Sequence, residues 1–308
     1  MPADLKGAPR KLSTVASVAA IVGLSLIWGY HWAVMKIGLY YCGALTYSVI
    51  RCVVAGPLLL VYARLQGRST RLKSPAAAVL VGLVQTAGNF GIGAIAVKFG
   101  EAGRSAVLTY TMPFWVMVLS YLFLHDRAGP RRWIAAFLAM GGILVVAFAS
   151  GRAQLGPVLL ALTAGVFWAA GLLIYQRAFR RHDDDPTVFA GWQLLVGGLA
   201  MAVFIPFVPG EGAIEWTPAF IASLTYTTLP ATAIAVYLWF LLISRLEAGT
   251  AAFGILLAPA IALVSSWIQL QERPPPIEAL GLAVILFAIA FYAWAEWRRA
   301  RLARRAAA

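Results

Sequence analysis

Ten uninterrupted apolar runs, each of 17 to 25 residues, follow one another along this 308-residue chain. They lie at roughly Val15–Gly38, Leu45–Tyr62, Ala76–Val97, Ala106–Leu124, Trp133–Ala149, Gly156–Tyr175, Thr187–Val208, Ala219–Ile243, Ala251–Leu270 and Ile277–Trp297. A helix crosses the hydrocarbon core with about 20 apolar residues. What remains between the runs is short and carries turn or charge signals, as in HDRAGPRR and QERPPP. No space is left for a soluble domain. A transmembrane β-barrel would alternate in polarity over about 10 residues per strand; these runs do not alternate. The apolar share is 61% and the charged share 12%, against about 45–50% and about 25% in soluble domains. The expected class is an all-α integral membrane protein.

The net charge of +13 would suggest nucleic acid in a soluble chain. Its distribution argues otherwise. With the N-terminus inside and the spans alternating, 19 of the 25 Lys and Arg fall in inside segments and 5 outside, with Arg51 within a span. Such a bias is the positive-inside signature. The expected setting is the cytoplasmic (inner) membrane, with both termini cytoplasmic, a lipid bilayer as partner and no nucleic acid. The first run passes through Trp28, Tyr30 and Trp32 without a small-residue cleavage site, so it reads as a retained span and not a signal peptide. Cys42 and Cys52 give neither a disulfide framework nor metal spacing.

The chain repeats itself. Gly100–Arg127 aligns without gaps to Leu246–Arg273 at an offset of 146, with 9 of 28 positions identical, Glu101/Glu247, Pro113/Pro259 and Arg127/Arg273 among them. Trp28 meets Trp168 at offset 140, and Arg51 meets Gln193 at 142. Two five-span halves follow, 1–150 and 151–308, in one membrane domain. Five is odd, so the halves enter the bilayer in opposite directions. Inverted repeats of this kind are a transporter signature, with the substrate site near the midplane.

The EAG segments opening spans four and nine, the proline within each, and the endings Asp126-Arg127 and Glu272-Arg273 resemble the drug/metabolite transporter superfamily. Its EamA-type ten-helix exporters are the most similar group, and within them the YddG-type exporters of aromatic and other neutral amino acids. The resemblance implies ten helices as two inverted five-helix repeats around a central cavity. Spans one, three, four, six, eight and nine would line that cavity, with five and ten as peripheral supports. It also implies export of small metabolites, often amino acids; drugs or other metabolites are the alternative cargo.

Polar groups within the spans are the candidates for a site, because they are expensive there. In span three, Gly82, Gln85, Asn89, Gly93 and Ala96 fall on one face of a regular helix. The amides of Gln85 and Asn89 either meet substrate or bond across a small-residue helix contact. Trp28 and Trp168 lie too deep for the interfacial belt and are expected to line a cavity; Trp32 is a weaker candidate. Tyr110, Gln193 and Tyr237 complete the expected substrate-binding set. Pro113, Pro230 and Pro259 each free a carbonyl and are either hinges or sites of fixed curvature. Arg51 reads better as a snorkelling or carbonyl-bonded structural residue. At offset 146, Thr228, Ala231 and Ala235 stand where the first half has Gly82, Gln85 and Asn89, so the site should be polar mainly on the first half.

The acids fall in tails, loops or span ends, and Asp183-Asp184-Asp185 reads as a solvated loop run. His31 is the histidine lying within a run. It is either proton-sensitive or, as favoured, bonded to a neighbouring helix. Facilitated export, or coupling without a buried carboxylate, is therefore expected. No catalytic cluster, metal spacing or cofactor motif is visible, and a channel filter is not either; an integral-membrane enzyme or channel is the lesser reading. The expected partner is a small-molecule substrate, neutral or zwitterionic. Oligomeric state is left open, with a monomer compatible.

Overall fold

The computed structural model describes residues 14–125, 129–149, 151–182, 184–245 and 257–307. Among them the chain is helical, with no strand and one isolated bridge between Cys42 and Ile214. Nine of the helices are long and apolar enough to cross a membrane: Ala19–Gly38, Ala44–Leu65, Pro75–Phe99, Ala102–Leu124, Pro130–Ala149, Arg152–Phe179, Pro186–Phe207, Pro218–Leu242 and Pro276–Arg299. We call these spans one to eight and span ten. A shorter apolar helix, Leu257–Leu270, is span nine. The earlier part of its run, the second EAG segment (Glu247, Ala248, Gly249) and Asp126-Arg127 lie outside the described residues. The chain is an all-α, multi-pass membrane protein. Lipid offers no hydrogen bonds, so each span must satisfy its backbone internally, which a helix does. Proline opens spans three, five, seven, eight and ten at Pro75, Pro130, Pro186, Pro218 and Pro276, where its missing N–H costs nothing.

Contacts between span ends sort into two sets. Lys36 Nζ at the end of span one donates to Val97, Lys98 and Gly100 carbonyls at the end of span three. Lys98 Nζ donates back to Leu39 and Cys42 carbonyls. Glu272, between spans nine and ten, accepts from Ala102 N at 2.7 Å, where span four begins. Glu211, between seven and eight, accepts from Leu45 N and Thr46 N, where span two begins. The other set holds Arg68 with Asp185 and Trp192 Nε1 donating to the Thr70 carbonyl. It includes the starts of spans three and seven and the end of two. This is the face with most of the basic residues, and below it is called the basic face. The sorting requires the spans to alternate and the two halves to be inverted.

Helix packing repeats the same symmetry. Span one packs along nine and span four along six; span two packs along seven and five along ten. If one corresponds to six and four to nine, the first two contacts are one contact made twice, and the other two are self-related. Glycines set the approach at these crossings, as in lipid, where close packing drives association. A Cβ on Gly56 would sit 2.8 Å from the Gly191 carbonyl, one on Gly142 2.8 Å from the Gly281 carbonyl, and one on Gly197 2.5 Å from the Gly82 carbonyl.

Two readings of the sequence are corrected. Asp184 and Asp185 are not a solvated run. Asp184 is 4% exposed and accepts from Lys73 N, Ser74 N and Ser74 Oγ, holding the start of span three. Asp185 caps span seven through Thr187 N and Val188 N, where negative charge suits the helix dipole. Asp183 lies outside the described residues. Span three is also not a regular helix. Gly82–Gly91 is a π-helix, and Leu229–Ile234 in span eight is another. The offset of 146 places the second within the first, over residues 83–88. Span four is interrupted as well, into Ala102–Thr109 and Met112–Leu124.

Candidate functional site

A cavity, partly open to solvent, lies between the halves. It is lined by Trp28, His31, Trp32 and Met35 from span one and Arg51 from span two. Gln85, Asn89, Phe90, Gly93 and Ala94 come from span three; Thr109 and Tyr110 from span four; Trp168 from span six; Ala231, Val236 and Trp239 from span eight. Span two therefore takes a place expected of span nine, whose described residues do not reach the lining. Spans five and ten pack on each other away from it.

Aromatic rings form one wall. Trp28 meets Trp168 edge-on at 5.6 Å and Trp239 at 5.7 Å, and Trp168 meets Trp239 at 6.2 Å. Tyr110 meets Trp168 at 5.4 Å and Trp32 at 6.3 Å. Three of these pairs, Trp28 with Trp168, Trp168 with Trp239 and Tyr110 with Trp168, are edge-to-face, an arrangement that holds rings in defined orientations. Trp28 Nε1 donates to the Ala231 carbonyl at 3.0 Å, which places the indole and uses a carbonyl of the span-eight π-helix. The polar wall comes from the first half. Asn89 Nδ2 donates to the Ala164 carbonyl at 3.0 Å, leaving Oδ1 as an acceptor. Gln85 packs beside Gly171, where a Cβ would fall 2.4 Å from the Gln85 Cβ.

The structure brings together Trp28, Gln85, Asn89, Tyr110 and Trp168 of the expected set. Two members lie elsewhere. Gln193 Oε1 accepts from Thr86 Oγ1 at 2.9 Å, in the packing of span three on seven, because the π-helix turns Gly82 and Thr86 towards span seven and splits the single face expected of a regular helix. Tyr237 turns away to Tyr62, ring to ring at 6.2 Å. Arg51 is neither snorkelling nor carbonyl-bonded: its Nη1 lies 3.1 Å from His31 Nε2. His31 is thus bonded to a neighbouring helix and also lines the cavity. Trp239 escaped the sequence reading although its signal was present. Gln85, Asn89 and Gly93 map at offset 146 onto Ala231, Ala235 and Trp239, so one further turn of the same comparison reaches it. Among the prolines, Pro113 opens the second part of span four and Pro230 sits in the π-helix. The carbonyl that Pro259 frees belongs to a residue outside the described set.

Outside the spans, Glu272 is titratably unusual. Burial raises its pKa above the carboxylate value, against the lowering effect of the Ala102 N–H and Lys36. Among the described residues, no three His, Cys, Asp or Glu side chains gather as a metal group would require.

A two-repeat helical membrane fold enclosing a cavity between its halves defines a transporter. The chain belongs to the EamA-like transporter family, whose profile matches residues 15–148 and again 155–294. It is 27% identical over 271 residues to the uncharacterized transporter YoaV of Bacillus subtilis, covering 84% of this chain and 90% of that one. It is 28% identical over 277 residues to a probable amino-acid metabolite efflux pump of Salmonella typhimurium, covering 85% and 89%. It is 27% identical over 284 residues to a probable terminal-alkyne amino-acid exporter of Streptantibioticus cattleyicolor, covering 87% and 90%. A solved crystal structure shares the fold at a TM-score of 0.67 and 17% identity, over 93% of this chain and 99% of that chain.

Proposed function

We propose that this transporter exports small neutral or zwitterionic metabolites, amino acids with aromatic side chains foremost, by alternating access. The observation that carries the reading is the cavity itself. Both halves contribute to it, six Trp, Tyr and Phe side chains line it, and its polarity comes from two amides, His31, two hydroxyls and a single cation. Aromatic walls accept an apolar side chain, and amides pair with both an ammonium and a carboxylate. An anion such as a sugar phosphate would call for a denser set of Arg and Lys. Relatives described as an amino-acid metabolite efflux pump and an amino-acid exporter support both cargo class and direction.

In this reading both termini face the cytoplasm, as the basic face does, and the protein sits in the inner membrane. Pro113 and Pro230 stand at helix interruptions beside the cavity and serve with Pro259 as flex points while the halves rock. The crossed lysines Lys36 and Lys98 close the opposite face and part when it opens. The test is counterflow of labelled phenylalanine in proteoliposomes, competed by the common amino acids and by sugar phosphates. Saturable exchange inhibited by aromatic and other neutral amino acids is expected. Exchange inhibited only by phosphorylated compounds overturns the reading.

A further inference from the structure

Arg51 is the one charged side chain among the described residues lining the cavity. It is 3% exposed, and His31 is 8% exposed. Its Nη1 approaches His31 Nε2 at 3.1 Å and the Met35 sulfur at 3.7 Å, and its Cζ lies 4.1 Å over the Phe90 ring. Among the described residues no carboxylate pairs with it. Its Nε and the Nδ1 of His31 have no hydrogen-bond partner there. A guanidinium keeps its proton in a protein, and a buried charge without a counter-charge is strongly unfavourable. Nη1 can only donate, so His31 Nε2 accepts and its proton sits on Nδ1. The pair thus leaves two buried donors without partners, on residues that line a cavity whose other polar groups are amides and hydroxyls.

We infer that Arg51, positioned by His31, receives the carboxylate of the cargo; the inference rests on the transport reading above and narrows it. Carboxylate binding neutralises the buried charge and uses the fork geometry of a guanidinium. The aromatic wall then holds the side chain, and the ammonium is left to Asn89 Oδ1 and the ring faces. A cargo lacking the carboxylate brings either no compensation or a second positive charge. The carrier should therefore discriminate by head group more sharply than by side chain.

Four probes share one ring: phenylalanine, 3-phenylpropionate, phenylalaninamide and phenethylamine. Binding is read by tryptophan fluorescence of the purified full chain, and transport by competition in counterflow. Wild type should bind the two carboxylates about tenfold or more tighter than the amide or the amine, the scale of a charged hydrogen bond. Arg51→Gln should lose that preference by weakening the carboxylates alone, and Arg51→Lys should restore part of it. Equal binding of carboxylates and amines by wild type overturns the assignment, as does a preference that survives Arg51→Gln. If Arg51→Gln does not fold, the wild-type series decides alone. Carboxylate-dependent binding without amino-acid flux would sink the transport reading and keep the assignment. Flux without head-group preference would do the reverse.

Discussion

Spans three and eight occupy equivalent places in the two halves and carry π-helices in register, yet their chemistry differs. Span three presents Gln85 and Asn89; span eight presents Ala231 and Ala235 at the same positions, and replaces side-chain amides with a backbone carbonyl that accepts from Trp28. One turn further, Gly93 stands in span three where span eight has Trp239. Each half thus supplies what the other omits: small against large, amide against ring. The backbone has kept its symmetry while the lining has lost it. A single cavity between two halves needs only one set of polar contacts.

The comparison can be broken most severely at the backbone of span three. Gly197→Leu drives a side chain into Thr86 and the Gly82 carbonyl, both already within 2.6 Å of a Cβ. No monodisperse protein is expected on size-exclusion chromatography. Gly141→Leu meets nothing within 4 Å and should elute as wild type. Next in size, Asn89→Ala and Gln85→Ala should each lower phenylalanine counterflow by about tenfold, the cost of a lost buried polar contact. Ala235→Ser, at the equivalent of Asn89, should leave it within about twofold. Equal losses on both sides would mean that the site is symmetric after all. Trp28→Phe keeps a ring but removes the donor to Ala231; thermal unfolding in detergent should register about 1 kcal/mol.

The smallest effect is expected at the far rim. The folded pKa of Glu272 is raised from the ordinary value of 4.5, so the folded state binds the proton more readily. Its contribution to stability is therefore fully present below 4.5 and declines as pH rises through the raised value. Glu272→Gln should flatten that part of the melting-temperature profile. An unchanged profile would show that the carboxylate does not couple to folding.

The span count, the repeat and the two-faced distribution of charge were legible because they depend on long averages of hydropathy and on basic residues at run ends. Five of the seven expected substrate residues reach the cavity for the same reason: polar and aromatic groups deep in a run have few other places to go. What escaped is set by local backbone geometry. A π-helix has no signature in 3.6-residue periodicity, so that periodicity groups Gly82 with Gln85 and Asn89 although it faces span seven. Gln193 illustrates a different limit. A buried amide satisfied by Thr86 carries the same letter as one facing a substrate. Asp184 reads as solvated from its neighbours Asp183 and Asp185, because nothing in a polar run tells which carboxylate finds backbone N–H groups from another loop.

The three indoles that meet in the aromatic wall of the cavity have an optical consequence. Trp28, Trp168 and Trp239 belong to spans one, six and eight, and their rings stand 5.6 to 6.2 Å apart at fixed tilts. Transition dipoles at such separations couple, so their near-ultraviolet circular dichroism depends on how the three helices are disposed. The protein therefore carries its own spectroscopic gauge: a guest among the rings, or any rotation of one half against the other, changes the signal of unlabelled material.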